Sequence, residues 1–264
     1  MSKSLTLTVT VVSIVGVGSL TAQPLPSAEE ILTKMTITYR ASKKYLIAGT
    51  TTLTEPDVPD TRASQIRMAV ELPDKMRLEG DLSSLGMDGF SGSVVIVLDG
   101  EFAWIYDGSE NQYYKIHRLS ARGSVGKFEA NRQPDLALPE QFTAYFHFFF
   151  TVAQRQKFLD KDRVNTVTGV ETLSVNGNQV DCYVIQSDSG AYTEKKFGSS
   201  RETIWVGVHR PVIWREDRIG WLSNGLQEHS RTDLTSVLMD EPLPGDTFVF
   251  TAPKGSKEMP FRAR

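Results

Sequence analysis

The sequence predicts a mainly β protein of the α+β class, in which antiparallel strands form one sheet and helices cover it. Short runs rich in β-branched and aromatic residues follow one another along most of the 264-residue chain. Gly, Pro, Asn and Asp separate these runs at short intervals, as in a meander. Only two stretches have helical periodicity, one over residues 28–42 and one that begins at Pro139.

The first segment indicates export. Residues 1–22 contain Lys3, an apolar stretch from Leu5 to Leu20, and small residues up to Ala22, which is the layout of a secretory signal peptide. The alternative, an uncleaved membrane anchor, is less favoured because Ser and Thr interrupt a run no longer than the roughly 20 residues a span needs. We therefore expect cleavage after about Ala22, leaving residues 23–264 as a single periplasmic domain.

The helix near the start of the mature chain has a clear N-terminal signal. Ser27 and Glu30 form the pattern of a capping box just before an apolar stripe. This stripe consists of Ile31, Leu32, Met35 and Tyr39. The spacing predicts an amphipathic helix from about Ala28 to Ser42.

Twelve segments are predicted to form β-strands, and the hairpin at Asp99-Gly100 has the strongest signal among them. Asp-Gly between β-branched and aromatic runs favours a tight turn because Gly tolerates positive φ. Alternation places Phe102, Trp104 and Tyr106 on one face, which predicts an apolar partner there. The predicted strands are 45–54, 63–71, 75–81, 93–98, 102–106, 112–117, 164–174, 179–187, 201–208, 211–219, 226–234 and 247–251, with a turn at Asn176-Gly177.

The second helical stretch carries an unusual aromatic stripe. After Pro139, a residue favoured at the first helical position, aromatic residues recur at helical spacing. Two interpretations stand: a core helix packed on the sheet, or a helix that lines a cavity for an apolar ligand. The stripe consists of Phe142, Tyr145, Phe146, Phe149 and Phe150.

These elements together resemble the family of the periplasmic lipoprotein carrier LolA and its outer-membrane lipoprotein-sorting relatives. The resemblance rests on SAEEILTKM, VELPDKMRLEGD, VVIVLDGEFAWIYDGSENQYY, IWVGVHRPVIWRED and TFVFTAPKGSKEM, in that order. It implies an open half-barrel with helices on its concave face and acyl chains held between them. It also implies a monomer that receives cargo from an inner-membrane donor complex and delivers it to an outer-membrane acceptor.

The predicted lipid-binding residues follow from the aromatic stripe and this resemblance. Leu72 stands where the known carriers have a basic residue before Pro, and Arg77 matches another basic position, a candidate for cargo retention; an ion pair of Arg77 with Glu79 or Asp81 is the alternative. Beside the stripe, the predicted lining contains Leu72, Met76, Leu78, Trp104 and Trp205.

Other chemistry has little support in the sequence. A net charge of −3 argues against a nucleic-acid partner. The four histidines lie far apart, and no Gly-x-Ser-x-Gly motif occurs, so we predict no metal, cofactor or catalytic residue. The single cysteine, Cys182, reads as a small buried residue. Besides a carrier of lipoprotein or lipid, an envelope sensor of the same fold and a hydrolase using scattered carboxylates remain open.

Overall fold

The computed structural model describes residues 24–56, 61–72, 74–81, 92–117, 164–189, 197–222, 225 and 227–260. In this part of the chain one helix, α1, precedes twelve strands. None of the helical structure described is long and apolar enough to cross a membrane. The elements are α1 Ala28–Ala41, β1 Lys44–Thr54, β2 Arg62–Glu71, β3 Lys75–Asp81, β4 Ser93–Asp99, β5 Phe102–Asp107, β6 Gln112–His117, β7 Val164–Val175, β8 Asn178–Ser189, β9 Phe197–Gly207, β10 Ile213–Leu222, β11 Gln227–Met239 and β12 Lys257–Met259.

All twelve strands belong to one open sheet. Their order is β12-β6-β5-β4-β3-β2-β1-β11-β10-β9-β8-β7. Two meanders, β1–β6 and β7–β11, therefore meet at a seam between β1 and β11, where every pairing is antiparallel. At the edge, β12 adds to β6 in parallel, which the sequence did not predict. The sheet is the predicted open, mainly β architecture, and it does not close into a barrel.

The sheet curls strongly beyond the seam. Asn176, in the turn between β7 and β8, donates from Nδ2 to the carbonyl oxygen of Thr235 on β11 at 2.8 Å. Three strands separate β7 from β11 in the sheet order, so this contact requires the second meander to bend back on itself. Asn176 has a φ of 49° and the next residue, Gly177, a φ of 80°, as a two-residue hairpin turn demands.

Helix α1 forms as predicted, with one difference at its cap. The Ser27 hydroxyl accepts a hydrogen bond from the Glu30 amide at 3.2 Å. The Glu30 carboxylate binds Lys34 at 2.8 Å rather than reaching back to the cap. Along the helix, the predicted stripe of Ile31, Leu32, Met35 and Tyr39 is at most 3% exposed. The helix contacts β7 and packs its apolar side into the main core.

The predicted strand at 247–251 is wrong. In this segment Thr247 and Val249 donate to the carbonyl oxygens of Pro244 and Asp246, both at 3.0 Å, so the backbone turns instead of extending. The alternation of Thr and Phe there marks a segment that lies against the sheet without pairing to it. The other predicted strands form within a few residues of their predicted bounds, and β9 and β11 are longer than expected.

Candidate functional site

Alternation along the strands gives the sheet two faces of different chemistry. We call the face that packs with α1 the inner face and the opposite one the outer face. Directly paired residues on neighbouring strands point to the same side, so each face is built of rows that cross the strands. The candidate functional site is the inner face, because the hydrophobic core cluster of the described residues lies along it.

Two apolar rows cross the inner face of β1–β6. All their members but one are at most 5% exposed, and Tyr114 is partly buried against them. The hydroxyls of Tyr45 and Tyr114 are the only polar side-chain groups within these two rows. The first row is Tyr45, Val70, Met76, Leu98, Ala103 and Ile116; the second is Ile47, Met68, Leu78, Ile96, Ile105 and Tyr114.

Across the seam, the inner face changes from apolar to polar along the strands. Near α1 it is apolar, with Val206 and Ile213 fully or almost fully buried. Tyr39 of α1 joins this end, and its hydroxyl accepts from the Ile213 amide at 3.2 Å. At the other end, one residue from each of five strands forms what we call the polar row. Its members, in sheet order, are Ser230, Arg218, Glu202, Ser187 and Asn165.

The outer face of the first meander is covered by the C-terminal segment, residues 240–260, which we call the strap. Phe250 of the strap stacks on Trp104 with ring centroids 5.2 Å apart and planes 16° apart. The same ring lies 5.4 Å from that of Tyr113. The aromatic side of β5 therefore has the apolar partner that the sequence predicted, and the strap provides it.

Trp104 is fixed from a second direction by the hairpin turn. Its Nε1 donates to Asp99 at 2.8 Å, and Asp99 also accepts from the amides of Glu101 and Phe102. Burial acts to raise the pKa of Asp99, but these three hydrogen bonds outweigh it and hold the pKa below its ordinary value. The Trp104 indole therefore contacts both the hairpin turn, through Asp99, and the strap, through Phe250.

Arg77 also lies on the outer face. Its Nε is 2.6 Å from Glu79, and its Nη1 donates to the carbonyl oxygen of Val249 in the strap at 3.0 Å. The ion pair with Glu79 is the alternative that the sequence allowed. A polar cavity of about 280 Å³ opens here between β2, β3 and the strap. Its lining is Arg67, Ala69, Arg77, Glu79, Pro244, Asp246, Thr247, Val249 and Thr251.

The outer face of the second meander is charged. Trp205 donates from Nε1 to Glu171 at 2.8 Å, and the guanidinium of Arg215 lies 5.2 Å from its ring centroid. Asp233 binds both Arg215 and Arg231, at 2.5 and 2.7 Å. Burial acts to raise the pKa of Asp233, and the two guanidinium groups lower it more, so the net pKa is below its ordinary value. This network places the Trp205 indole beside charged side chains on the outer face.

The structure therefore divides the predicted strand residues between two surfaces. Met76 and Leu78 lie in the inner rows, and Leu72 is packed against the same core. Trp104, Trp205 and Arg77 lie on the outer face, which corrects the expectation of one shared lining. The reason is the period of two: each of these three alternates with a buried inner residue on its own strand. The aromatic stripe, Phe142 to Phe150, lies outside the described residues.

Sequence reasoning missed the polar row. Glu202 and Ser187 are only 4% and 1% exposed, although both side chains are polar. The signal was present in β9, where Ser200, Glu202, Ile204 and Val206 share one face. A carboxylate in an otherwise apolar alternation indicates a buried charge, and a buried charge needs a partner on the neighbouring strand.

Cys182 is buried as predicted. Its side chain is 0% exposed, and burial, together with the nearby carboxylate of Asp181, raises the pKa of the thiol to about 12. A thiol that stays protonated is a poor nucleophile and a poor metal ligand. Cys182 therefore contributes packing at the outer side of β8.

Comparisons with known proteins identify a family to which the chain belongs. A family model described as "Predicted periplasmic protein (DUF2092)" matches residues 28–262. No curated protein matches the chain. Among solved structures, an uncharacterized conserved protein from Thermus thermophilus is 12% identical with a TM-score of 0.42, and the match covers 89% of this chain and 99% of that chain.

Two further solved structures are similar to the chain at comparable distances. A LolA superfamily protein from Nitrosomonas europaea is 11% identical with a TM-score of 0.31, covering 86% of this chain and 99% of that chain. The Pseudomonas aeruginosa MucA/MucB complex contains a chain that is 14% identical with a TM-score of 0.42, covering 85% of this chain and 61% of that chain.

Proposed function

Since the chain belongs to the DUF2092 family of predicted periplasmic proteins, we propose that it is a periplasmic carrier that binds the acyl chains of a lipoprotein or lipid on its inner face. In this proposal the signal peptide is cleaved after about Ala22, and the mature chain moves its cargo toward the outer membrane. The role is binding, and it requires no catalytic group.

The observation that carries the proposal is the pair of apolar rows across six strands. Acyl chains are bound by apolar area, at roughly 0.8 kcal/mol for each buried methylene. A carrier therefore needs a continuous apolar wall more than any single contact. The rows at Met76 and Leu78 provide such a wall, and they run across six strands from β1 at the seam to β6.

A second wall comes from the helix predicted after Pro139. Its stripe of five aromatic residues has the area to cover an acyl chain from the side opposite the sheet. We propose that cargo lies between this stripe and the inner face. Phe149 belongs to this stripe, so a charge there is a direct way to disturb the proposed site.

The test is native mass spectrometry of residues 23–264, purified without detergent from the periplasm of a Gram-negative host. Organic extraction and lipid analysis identify whatever the protein releases. The variant Phe149→Arg is compared with Ile37→Arg, which makes the same change on α1 at a side chain that is 60% exposed. We expect acyl species on the wild type and on Ile37→Arg, and a loss of at least about tenfold in occupancy on Phe149→Arg, since a buried unpaired charge is strongly unfavourable.

The outcomes separate the proposals that the sequence left open. A clean mass for the wild type, with no binding of added lipids, would overturn the carrier proposal. Retained lipid together with a co-purifying protein whose release depends on lipid would favour the envelope sensor. Thermal melting followed by circular dichroism shows whether Phe149→Arg still folds. The lipid occupancy is then compared only between folded proteins.

A further inference from the structure

The cavity of about 280 Å³ between β2, β3 and the strap has no part in the proposed binding of acyl chains. It opens on the outer face of the sheet, whereas the apolar rows lie on the inner face. Its volume is near the lower end of the roughly 300–1,000 Å³ that ligand pockets commonly have, which suits a small molecule. We call it the strap cavity.

Two side chains of opposite charge line the strap cavity without a partner. Arg67 lies on β2 and Asp246 on the strap, and both side chains are exposed. Neither side chain makes a hydrogen bond or an ion pair within the described residues. The sheet therefore contributes an unpaired cation to the cavity, and the strap contributes an unpaired anion.

Arg77 adds a guanidinium that is already held in place. Its Nε binds Glu79 at 2.6 Å, and its Nη1 donates to the carbonyl oxygen of Val249 at 3.0 Å. These two contacts tie the guanidinium to the sheet and to the strap. Its Nη2 has no hydrogen-bond partner in the described part of the chain, so it is an oriented donor for a ligand.

The rest of the lining includes apolar residues. Val249 is 56% exposed, although it belongs to a segment that lies against the sheet, and it shares the lining with Ala69 and Pro244. An apolar group that covers Val249 removes this surface from water, which is favourable. The strap cavity thus combines a cation, an anion and an apolar surface within one small volume.

The strap behaves differently at its other end. There Phe250 stacks on Trp104, and the Tyr113 hydroxyl donates to Glu258 at 3.1 Å, so strap and sheet are in direct contact. Over β2 and β3 they instead enclose a cavity with unpaired charges on both sides. A ligand in the cavity would contact the sheet and the strap at once.

We propose that the strap cavity binds a small zwitterion, namely an α-amino acid with an apolar side chain or a dipeptide that carries the same groups. The ligand carboxylate pairs with Arg67 and accepts from Nη2 of Arg77, and the ammonium group pairs with Asp246. The apolar side chain of the ligand covers Val249. This site lies on the opposite face from the proposed acyl-chain site and does not depend on it.

The charges of the lining favour this class of ligand over simpler ions. A phosphate or a dicarboxylate would bring further negative charge close to Glu79 and Asp246. A diamine would bring positive charge close to Arg67 and Arg77, and like charges at short range repel. A zwitterion offers one opposite charge to each of the two unpaired side chains.

Isothermal titration calorimetry of the mature protein tests the proposal with L-leucine and with the dipeptide leucylglycine. The one that binds more tightly is then compared with its C-terminal amide, which lacks the carboxylate, and with its N-acetyl derivative, which lacks the ammonium group. We expect each blocked derivative to bind about tenfold more weakly, since it loses a charge-assisted contact.

Two variants assign these contacts to residues. Arg67→Gln should weaken binding of the parent ligand about tenfold while the affinity for the amide does not fall. Asp246→Asn should have the corresponding effect, with no fall in the affinity for the N-acetyl derivative. Both positions are exposed, so we expect both variants to melt near the wild-type temperature.

The matched control is Arg40→Gln, which removes the same charge at an exposed residue in the last turn of α1, outside the strap cavity. It should keep the wild-type affinity. The Trp104 indole reports the position of the ligand, because Phe250, the residue after Val249, stacks on it. We expect the ligand to shift the Trp104 indole NMR signal and to leave that of Trp205 unchanged.

Each outcome decides for or against the inference. A folded wild-type protein that binds neither leucine nor leucylglycine would overturn it. Equal affinity for the parent ligand and its blocked derivatives, or full affinity in Arg67→Gln, would overturn it as well. Tighter binding of leucine identifies a free amino acid as the ligand, tighter binding of leucylglycine identifies a peptide, and either result supports the inference. None of these measurements involves lipid, so this inference and the lipid-binding function fail independently.

Discussion

The two meanders that meet at the β1–β11 seam differ in the side chains on their inner faces and in what covers their outer faces. In the first, β1–β6, two apolar rows cross the inner face, and the strap covers the outer face with Phe250. In the second, β7–β11, the inner face ends in the polar row, and the outer face carries the charges around Asp233. The inner face of the first meander therefore contains two continuous apolar rows, whereas that of the second contains a row of polar and charged side chains.

The difference shows what a period of two can and cannot encode. Alternation fixes which side chains share a face, and it does so equally well in both meanders. It does not say which face is covered or by what. In the first meander the strap, which is distant in sequence, packs on Trp104 at the outer face. In the second meander no such covering segment is described, and Trp205 lies beside charged side chains.

The largest effect should come from placing a charge in the first meander. Leu98 is 0% exposed in an inner row with no described partner for a charge. We expect Leu98→Asp to lower the free energy of unfolding by more than about 4 kcal/mol, enough to unfold much of the protein. The control is Ile37→Asp, which introduces the same charge on α1 at a side chain that is 60% exposed and should unfold near the wild-type urea concentration. Equal stability of Leu98→Asp and the wild type would show that the inner rows tolerate a buried charge.

A smaller loss is expected at the seam. Gly49 sits where the β1–β11 register shifts, and a Cβ there would lie 2.4 Å from the Asp233 carbonyl oxygen. Because that contact is with backbone, Gly49→Ala forces the strands apart, and we expect a loss of about 1–3 kcal/mol in urea unfolding. Gly169→Ala is the matched control, since a Cβ at Gly169 meets nothing within 4 Å. Comparable losses in both variants would mean that the close approach at the seam is unimportant.

The strap should contribute less than the seam. Phe250→Ala removes the ring that contacts Trp104 and Tyr113, and for a half-buried ring we expect a loss of about 1–2 kcal/mol. A double-mutant cycle with Trp104→Ala should give a coupling energy of about 0.5–1.5 kcal/mol between the rings. Additive losses would show that the strap does not hold the outer face through this stack.

Acid should have the smallest effect, through Asp99. Its folded pKa is below the ordinary value of about 3.9, so its contribution to stability is present above that value and is lost as pH falls through the folded pKa. Asp99→Asn keeps an acceptor for the Glu101 and Phe102 amides but does not titrate. We expect its free energy of unfolding to fall less than that of the wild type as the pH is lowered from about 5.5 to 3.

The control for this acid effect is Asp246→Asn, at an exposed residue of the strap. It should follow the wild-type pH dependence. An Asp99→Asn variant that loses as much stability as the wild type on acidification would show that the hairpin carboxylate does not contribute to acid sensitivity.

Local signals predicted most of the described fold. The cap at Ser27, the stripe ending at Tyr39, the turns at Gly100 and Gly177, and the burial of Cys182 all depend on residues close in sequence. The strap was misjudged because its turns and its position over Trp104 depend on contacts between residues far apart in the chain. The assignment of Trp104 and Trp205 to a lipid lining failed for a related reason. A large aromatic side chain favours burial, but its residue type does not indicate which face of the sheet it lies on.

The central claim is that lipid lies on the inner face and not on the outer one, and the protein contains reporters for both. Methyl-labelled Met68 and Met76 lie in the two inner rows, and the indole groups of Trp104 and Trp205 lie on the outer face. The measurement is NMR line broadening on addition of a stearic acid that carries a nitroxide on its chain. We predict that the Met68 and Met76 signals broaden while both indole signals keep their intensity; broadening of the indoles with unchanged methionines would contradict the account.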